Sequence, residues 1–376
     1  MKKFVSLLLA AAMLLSVCTA FADGGVKVAT IGPLLGPYAI YGTNVANALV
    51  LAADEINAQG GVQLNVLEAQ DDGGDPTMAI NAYNTLMDDG LQVLIGTVTS
   101  GACIAVGTQA NEDRVFLLTP SASSDLVTDG KDNVFQICFT DSNQGSASAQ
   151  YIFDHKLATK VGVIYNNAID YSIGIRNTFV AKCNELGIEV AAEAAFSDDS
   201  NADYSVQVAA MKNAGVDLVF LPIYYTPASM ILTQAAAVGL DVTFFGVDGM
   251  DGILNLEGFD TSLAEGVLLL TPFSANSTDP RTAAFVAKYR ELYNDTPNQF
   301  GADAYDAAYV VAALVEKAGI TEDTAPEEAC EKLIAAITDG FTYEGITGTM
   351  QWSPDGTVTK SPQAVVITDG EYVMFE

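Results

Sequence analysis

The sequence predicts an α/β protein: two Rossmann-like lobes with parallel sheets, joined by a multi-strand hinge. Three observations carry this expectation. Short apolar runs alternate with stretches of helical period, the pattern of strand–helix–strand units whose sheet is buried on both faces. The order and spacing of those runs then repeat once, although residue identity barely does. After the second round the chain goes back to helices and ends in strands, which implies several crossings between halves and a cleft beside them. A chain of 376 residues is long enough to give both halves a core.

Residues 1–22 read as a secretory signal: Met1-Lys2-Lys3, an apolar stretch over 4–17, then Ala20-Phe21-Ala22 ahead of Asp23. The alternative is a lipoprotein box at Leu15-Ser16-Val17-Cys18, anchoring the chain through Cys18, although Val17 stands where a small residue is wanted. Either way the expected location is outside the cytoplasm, periplasmic or at the cell surface.

The first strand is 26–31 (VKVATI), followed by a loop carrying Tyr38 and Tyr41 ahead of Gly42, and a helix over 44–57 closed by Gln59-Gly60-Gly61. Residues 62–69 form the second strand. The acidic loop Asp71-Asp72-Gly73-Gly74-Asp75-Pro76 lacks the calcium-loop spacing and its closing glutamate, so no metal is expected; Asp75 instead caps a Pro-started helix through 87. The stretch 91–124 is the centre of the reading. Strand 93–95 breaks at Gly96, Thr97, Thr99, Ser100 and Gly101, a helix runs over 102–112, and strand 115–118 opens into Thr119-Pro120-Ser121-Ala122-Ser123-Ser124. Two successive strand ends thus present hydroxyls and backbone N–H groups at one sheet edge, beside the positive end of a helix, an arrangement that suits a carboxylate. Taken singly, each hydroxyl reads equally well as an ordinary helix cap.

Residues 135–141 carry the chain away, and the pattern restarts. Strand 160–165 (KVGVIY) leads to Tyr171 before Gly174, and strand 188–194 follows. Strand 216–221 follows Gly215 as 91–95 follows Gly90, and 242–247 ends at Asp248-Gly249-Met250-Asp251-Gly252. Residues 268–273 cross again. Helices over 285–293, 302–318 and 329–337 precede strands at 345–350, 365–367 and 372–374. The expected division is 23–140 with 273–346 as one lobe, and 141–272 with 347–376 as the other.

A formal charge of −31, from 16 basic and 47 acidic residues, argues against nucleic acid or an anionic membrane surface as a partner. Without Lys2 and Lys3 the balance is 14 against 47, or −33. Enzymatic options are thin. His155 is the one histidine, at a polar helix end, and no Ser–His or Cys–His pairing, phosphate loop or zinc motif accompanies it. Cys103, Cys138, Cys183 and Cys330 fit no zinc spacing and read as buried thiols. What remains is binding. Asp248 ends a strand in the second lobe where Ser121–Ser123 end the matching strand of the first. Across a cleft, a carboxylate facing hydroxyls and helix amides complements a zwitterion, with the ammonium on Asp248 and the carboxylate on Ser100 and Ser123. Tyr41, Tyr171, Tyr224 and Phe300 would wall such a cleft.

At this point the residues carry a resemblance. VKVATIGPLLGPYAIYG, INAQGG with DDGGDP, VLIGTVTSG, LLTPSAS with FQICFTDSNQG, VGVIYNNAIDYSIG and GITGTMQWSPDGTV together resemble the leucine/isoleucine/valine-binding family of ABC-transporter solute receptors. The resemblance covers essentially all of 26–376 and implies the type I periplasmic binding protein fold, an amino-acid ligand, an ABC permease as partner, a monomer, and no cofactor or covalent chemistry. It also implies roles. Ser100 takes the ligand carboxylate, the segment Ser121-Ala122-Ser123 gives a backbone amide and a hydroxyl, and Tyr171 and Tyr224 flank the ligand, with Tyr225 leaving that register open by one. The family's usual acidic partner for the ammonium is glutamate, so Asp248 is about one methylene shorter. Tyr41 and Phe300 carry over as pocket aromatics. Two rival readings are a receptor for an amide or urea-type solute and a ligand-sensing module for a signalling partner.

Overall fold

The structure, a computed structural model, describes residues 24–197 and 203–375; the leader and the Cys18 reading lie outside the described residues. The first lobe is laid down by β1 (Val26–Ala29), β2 (Ile31–Gly32), α1 (Ala39–Gln59), β3 (Leu64–Val66), β4 (Gln70–Asp71), α2 (Pro76–Asp88), β5 (Val93–Leu94), α3 (Ser100–Asp113), β6 (Phe116–Thr119) and β7 (Val134–Gln136). Local chemistry explains several boundaries. Pro76 opens α2, and Asp75 caps it by accepting from the Thr77 and Met78 amides at 2.8 and 2.9 Å. Helix α1 lays Leu49, Ala52 and Ile56 on the sheet, while Val45 and Ala48, on the same buried stripe, join the cluster of Phe285, Tyr289 and Phe300. The sheet is parallel throughout, in the order β3-β1-β5-β6-β7.

The second lobe follows with α4 (Asp141–Asp154), β8 (Lys160–Asn166), α5 (Asp170–Leu186), β9 (Glu189–Phe196), α6 (Ser205–Ala214), β10 (Leu218–Leu221), α7 (Tyr225–Ala237), β11 (Thr243–Gly246) and β12 (Leu268–Thr271). Its parallel strands run β9-β8-β10-β11-β12, the same second-first-third-fourth-fifth order as the first lobe. In this order the switch point lies between the first and third strands, and ligands bind outside the carboxyl ends there. The chain next returns to the first lobe with α8 (Pro280–Tyr293), α9 (Gln299–Ala318), α10 (Pro326–Thr338) and a hairpin of β13 (Thr342–Gly345) and β14 (Gly348–Gln351). Helix α9 packs along α1. Finally β15 (Gln363–Thr368) and β16 (Glu371–Met374) extend the second sheet as antiparallel strands beside β12.

Several expectations need correction. Helix α1 begins at Ala39, not 44, and α5 at Asp170, so Tyr41 and Tyr171 sit in first helical turns rather than in loops. Residues 134–136 do not leave the sheet but form its fifth strand, because Leu117, Leu118 and Thr119 pair with them. The return to the second sheet also comes later than residue 347. Met350 and Trp352 are part of the first lobe's core, and the Trp352 indole donates to the Gln136 carbonyl at 2.7 Å.

The crossings are tied by buried charge. Lys360, ahead of β15, pairs with Asp303 of α9 and donates to Thr347 Oγ1 at 2.7 Å and the Ile137 carbonyl at 3.0 Å. Asp306 accepts the Ile346 and Thr347 amides, both at 2.9 Å. One ammonium therefore anchors two crossing segments to the helix beside them. His155 is exposed at the end of α4, and Cys103, Cys138, Cys183 and Cys330 are buried free thiols.

Candidate functional site

The carboxyl ends of both sheets face one another across the cleft. On the first rim, β5 leads into α3, which starts at Ser100. Thr99 occupies the cap position but makes no side-chain cap, so the helix presents its first turn without one. The Ser100 hydroxyl accepts the Ser124 amide at 3.2 Å, and the Ser121 hydroxyl donates to the Val98 carbonyl at 2.7 Å. Thr119 organises the turn between them: its hydroxyl donates to the Thr97 carbonyl at 2.6 Å and accepts the Ser121 and Ala122 amides at 3.3 and 3.0 Å.

On the second rim, Asp248 follows β11 in a single helical turn (Asp248–Met250) and is 2% exposed. One of its oxygens accepts the Tyr171 hydroxyl at 2.6 Å and the Gly249 amide at 2.7 Å; its own amide donates to Gln144 Oε1 at 3.1 Å. Burial pushes its carboxyl up from 3.8 to about 6, against those hydrogen bonds, which favour the charged form. Tyr224, at the cap position of α7, stacks on Tyr171 with ring centres 4.8 Å apart. Tyr41 reaches over from the first lobe. Its hydroxyl donates to the Gly249 carbonyl and accepts the Tyr225 amide, and its ring meets Phe300, in the first turn of α9, at 4.6 Å.

Tyr41, Ser100, Ser121, Tyr171, Tyr224, Asp248 and Phe300 line one cavity together with Val98, Thr99 and Gly249. About 10 Å³ is open there to the centre of a water-sized sphere, the room of a single water, so the rims are closed on one another. A more open groove of about 670 Å³ runs along the crossings past Phe273, Glu344 and Tyr372. It shares no residue with the cleft, and the cleft, lined from both lobes, is the candidate site.

Two of the expected residues stand elsewhere. Ala122 belongs to the core beneath the first sheet, and its amide is taken by Thr119. Ser123 is fully buried behind the rim, where it faces Asp141 rather than the cavity. A turn lets only some of its side chains face one way, and the Thr119 bonds choose Ser121. Sequence reasoning also missed Val98 and Gly249, and named Thr99 only among the hydroxyls of the strand end. Asp141 and Gln144 were visible only as part of FQICFTDSNQG, with no role attached.

A family model described as periplasmic binding protein matches residues 25–371. The chain belongs to the periplasmic binding protein family. Among individual relatives it is 30% identical to the Leu/Ile/Val-binding protein BraC3 of Rhizobium johnstonii, covering 90% of each chain. It is 28% identical to the leucine-, isoleucine-, valine-, threonine- and alanine-binding protein of Pseudomonas aeruginosa, over 88% of this chain and 86% of that one. The branched-chain amino acid transporter substrate-binding protein LivJ of Streptococcus pneumoniae, solved with isoleucine, superposes with a TM-score of 0.82 at 28% identity, over 93% of this chain and 100% of that one. Among periplasmic binding proteins, the resemblance to Leu/Ile/Val receptors therefore extends over nearly the whole chain.

Proposed function

We propose that this protein is the extracytoplasmic receptor of an ABC importer, capturing a branched-chain or other hydrophobic L-amino acid between its lobes and presenting it, as a monomer, to the permease. The observation that carries the reading is the opposite polarity of the two rims. A buried carboxylate at Asp248 shares a cavity with the uncapped start of α3 and the Ser100 and Ser121 hydroxyls. An ammonium placed on Asp248 and a carboxylate placed on α3 satisfy both at once. The aromatic wall of Tyr41, Tyr171, Tyr224 and Phe300 then suits an apolar side chain. The names of the relatives favour the same class. A ligand without an ammonium, such as an amide or urea, would leave Asp248 buried and uncompensated. Entry requires the lobes to part, because the closed cavity is the size of one water.

The test is a thermal-shift screen of the mature protein with leucine, isoleucine, valine, other L-amino acids and urea. At ~100 times its dissociation constant a ligand adds about 2.7 kcal/mol, a plain rise in melting temperature. A rise with urea and none with any L-amino acid would overturn the reading.

A further inference from the structure

Behind the first rim lies a carboxylate that the ligand scheme does not use. Asp141 opens α4, immediately after the first crossing, and is fully buried. Among the described residues no hydrogen bond reaches either of its side-chain oxygens, and none reaches Ser123 Oγ, the polar group facing it. The position at a helix start would ordinarily supply donors. Here each first-turn amide is committed elsewhere. The Asp141 amide goes to the Ser123 carbonyl at 2.8 Å, Ser142 to Asp125 at 3.2 Å, Asn143 to Thr140 Oγ1 at 3.2 Å, and Gln144 to the Thr140 carbonyl at 2.9 Å. The helix dipole remains, but it offsets only a small part of what burying a bare carboxylate costs.

The surrounding charges oppose ionisation as well. Asp248 after β11, Asp125 in the loop after β6 and Asp170 at the start of α5 all act on it, and all are acidic. The Asp303–Lys360 pair, which acts on Cys138, is not among the largest influences on Asp141. Burial is the largest influence, and it holds the Asp141 carboxyl well above the usual carboxylate range. The Ser123 hydroxyl, which can donate as well as accept, favours the charged form, but one hydroxyl without a cation offsets little of what burying an ionised carboxylate costs, whereas a neutral acid needs only one acceptor.

We propose that Asp141 is a positioning residue that works as a neutral carboxylic acid in the closed protein, donating its proton to Ser123 Oγ and so holding the Ser121–Ser124 turn from behind. That turn lines the cleft through Ser121, and its Ser124 amide is the donor on Ser100 Oγ. The proton comes from solvent, and no other bond changes. The proposal rests on the amino-acid site above for its effect on affinity, but not for its protonation. The acid joins a first-lobe turn to a helix of the second lobe, so its ionisation loosens the closed arrangement. Ligand capture should therefore weaken as rising pH ionises it.

Infrared difference spectroscopy at pH 8 tests the proton directly. The wild-type protein should show a protonated-carboxyl C=O band that is missing from Asp141→Asn. Absence of the band, or its persistence in the variant, overturns the proposal. Calorimetry with L-leucine tests the positioning role. Asp141→Ala should lose about tenfold in affinity; Asp141→Asn, which keeps a donor for Ser123, should recover most of it and lose the weakening that the wild type shows on the alkaline side. A pH profile in Asp141→Asn that still follows the wild type overturns it. If no L-amino acid binds at all, the receptor reading fails, while the infrared band of the ligand-free protein still decides the protonation.

Discussion

Replacing Asp248 by asparagine should push stability and affinity in opposite directions. Asparagine keeps the shape and can still accept from the Tyr171 hydroxyl and the Gly249 amide. It removes only the charge. In the folded protein the carboxyl is raised from 3.8 to about 6, and at about 1.4 kcal/mol per tenfold change in proton affinity this amounts to about 3 kcal/mol. The sign follows from linkage. The unfolded carboxyl ionises near pH 4 and the folded one near 6, so the favourable contribution is complete below about 4, is lost as pH rises, and is gone above about 6. The substituted amide does not titrate. Without ligand, Asp248→Asn should therefore match the wild type near pH 4 and exceed it by up to about 3 kcal/mol at pH 7, read by urea unfolding at both pH values. With ligand the order reverses. Removing one partner of a buried ion pair costs about 3–5 kcal/mol, so calorimetry with L-leucine should show an affinity loss of roughly two to four decades. Wild-type affinity in the variant would refute the ammonium assignment. A variant less stable than the wild type at pH 7 would mean that the charge serves the fold.

Further outcomes follow from the same geometry. Wild-type affinity for L-leucine should fall below pH 6, by up to tenfold per pH unit, as Asp248 becomes protonated, and a titration calorimetry series from pH 4.5 to 7.5 reads it. Gly249→Ala would put a Cβ 2.5 Å from the Tyr171 hydroxyl and 2.9 Å from the Tyr224 ring, so the stacked pair must shift. Binding should drop by at least about tenfold while the circular dichroism spectrum stays unchanged. Lys360→Met leaves Asp303 and Asp306 buried without their cation, and should cost about 3–5 kcal/mol in chemical denaturation. An unchanged midpoint would show that the charge cluster at the crossings contributes nothing to stability.

Much of this architecture was legible because parallel strands announce themselves. A buried strand is a short apolar run, and in a parallel sheet all carboxyl ends share one edge. The hydroxyls after residues 93–95 and 115–118 and the aspartate after 242–247 could thus be assigned to facing rims from the sequence alone. Ser100, Ser121 and Asp248 do line one cavity. Helix starts were harder to read: α1 begins at Ala39, ahead of the predicted 44, because Tyr38, Ala39 and Ile40 carry no capping signal that local sequence would reveal.

By itself, then, the chain's order of apolar runs and turns determined the twin sheets, their common strand order and the chemical character of each rim, since these depend on local period and on connection geometry. Tertiary structure decided which side chain of Ser121-Ala122-Ser123 faces the cavity, through the bonds that Thr119 makes to Thr97 and to the turn. It also decided that Tyr41 bridges to the opposite lobe, and that Asp141 lies buried against the Ser123 hydroxyl with no cation beside it among its named influences. These outcomes depend on groups that meet only when distant segments pack, and packing across a cleft leaves no periodic trace in the sequence.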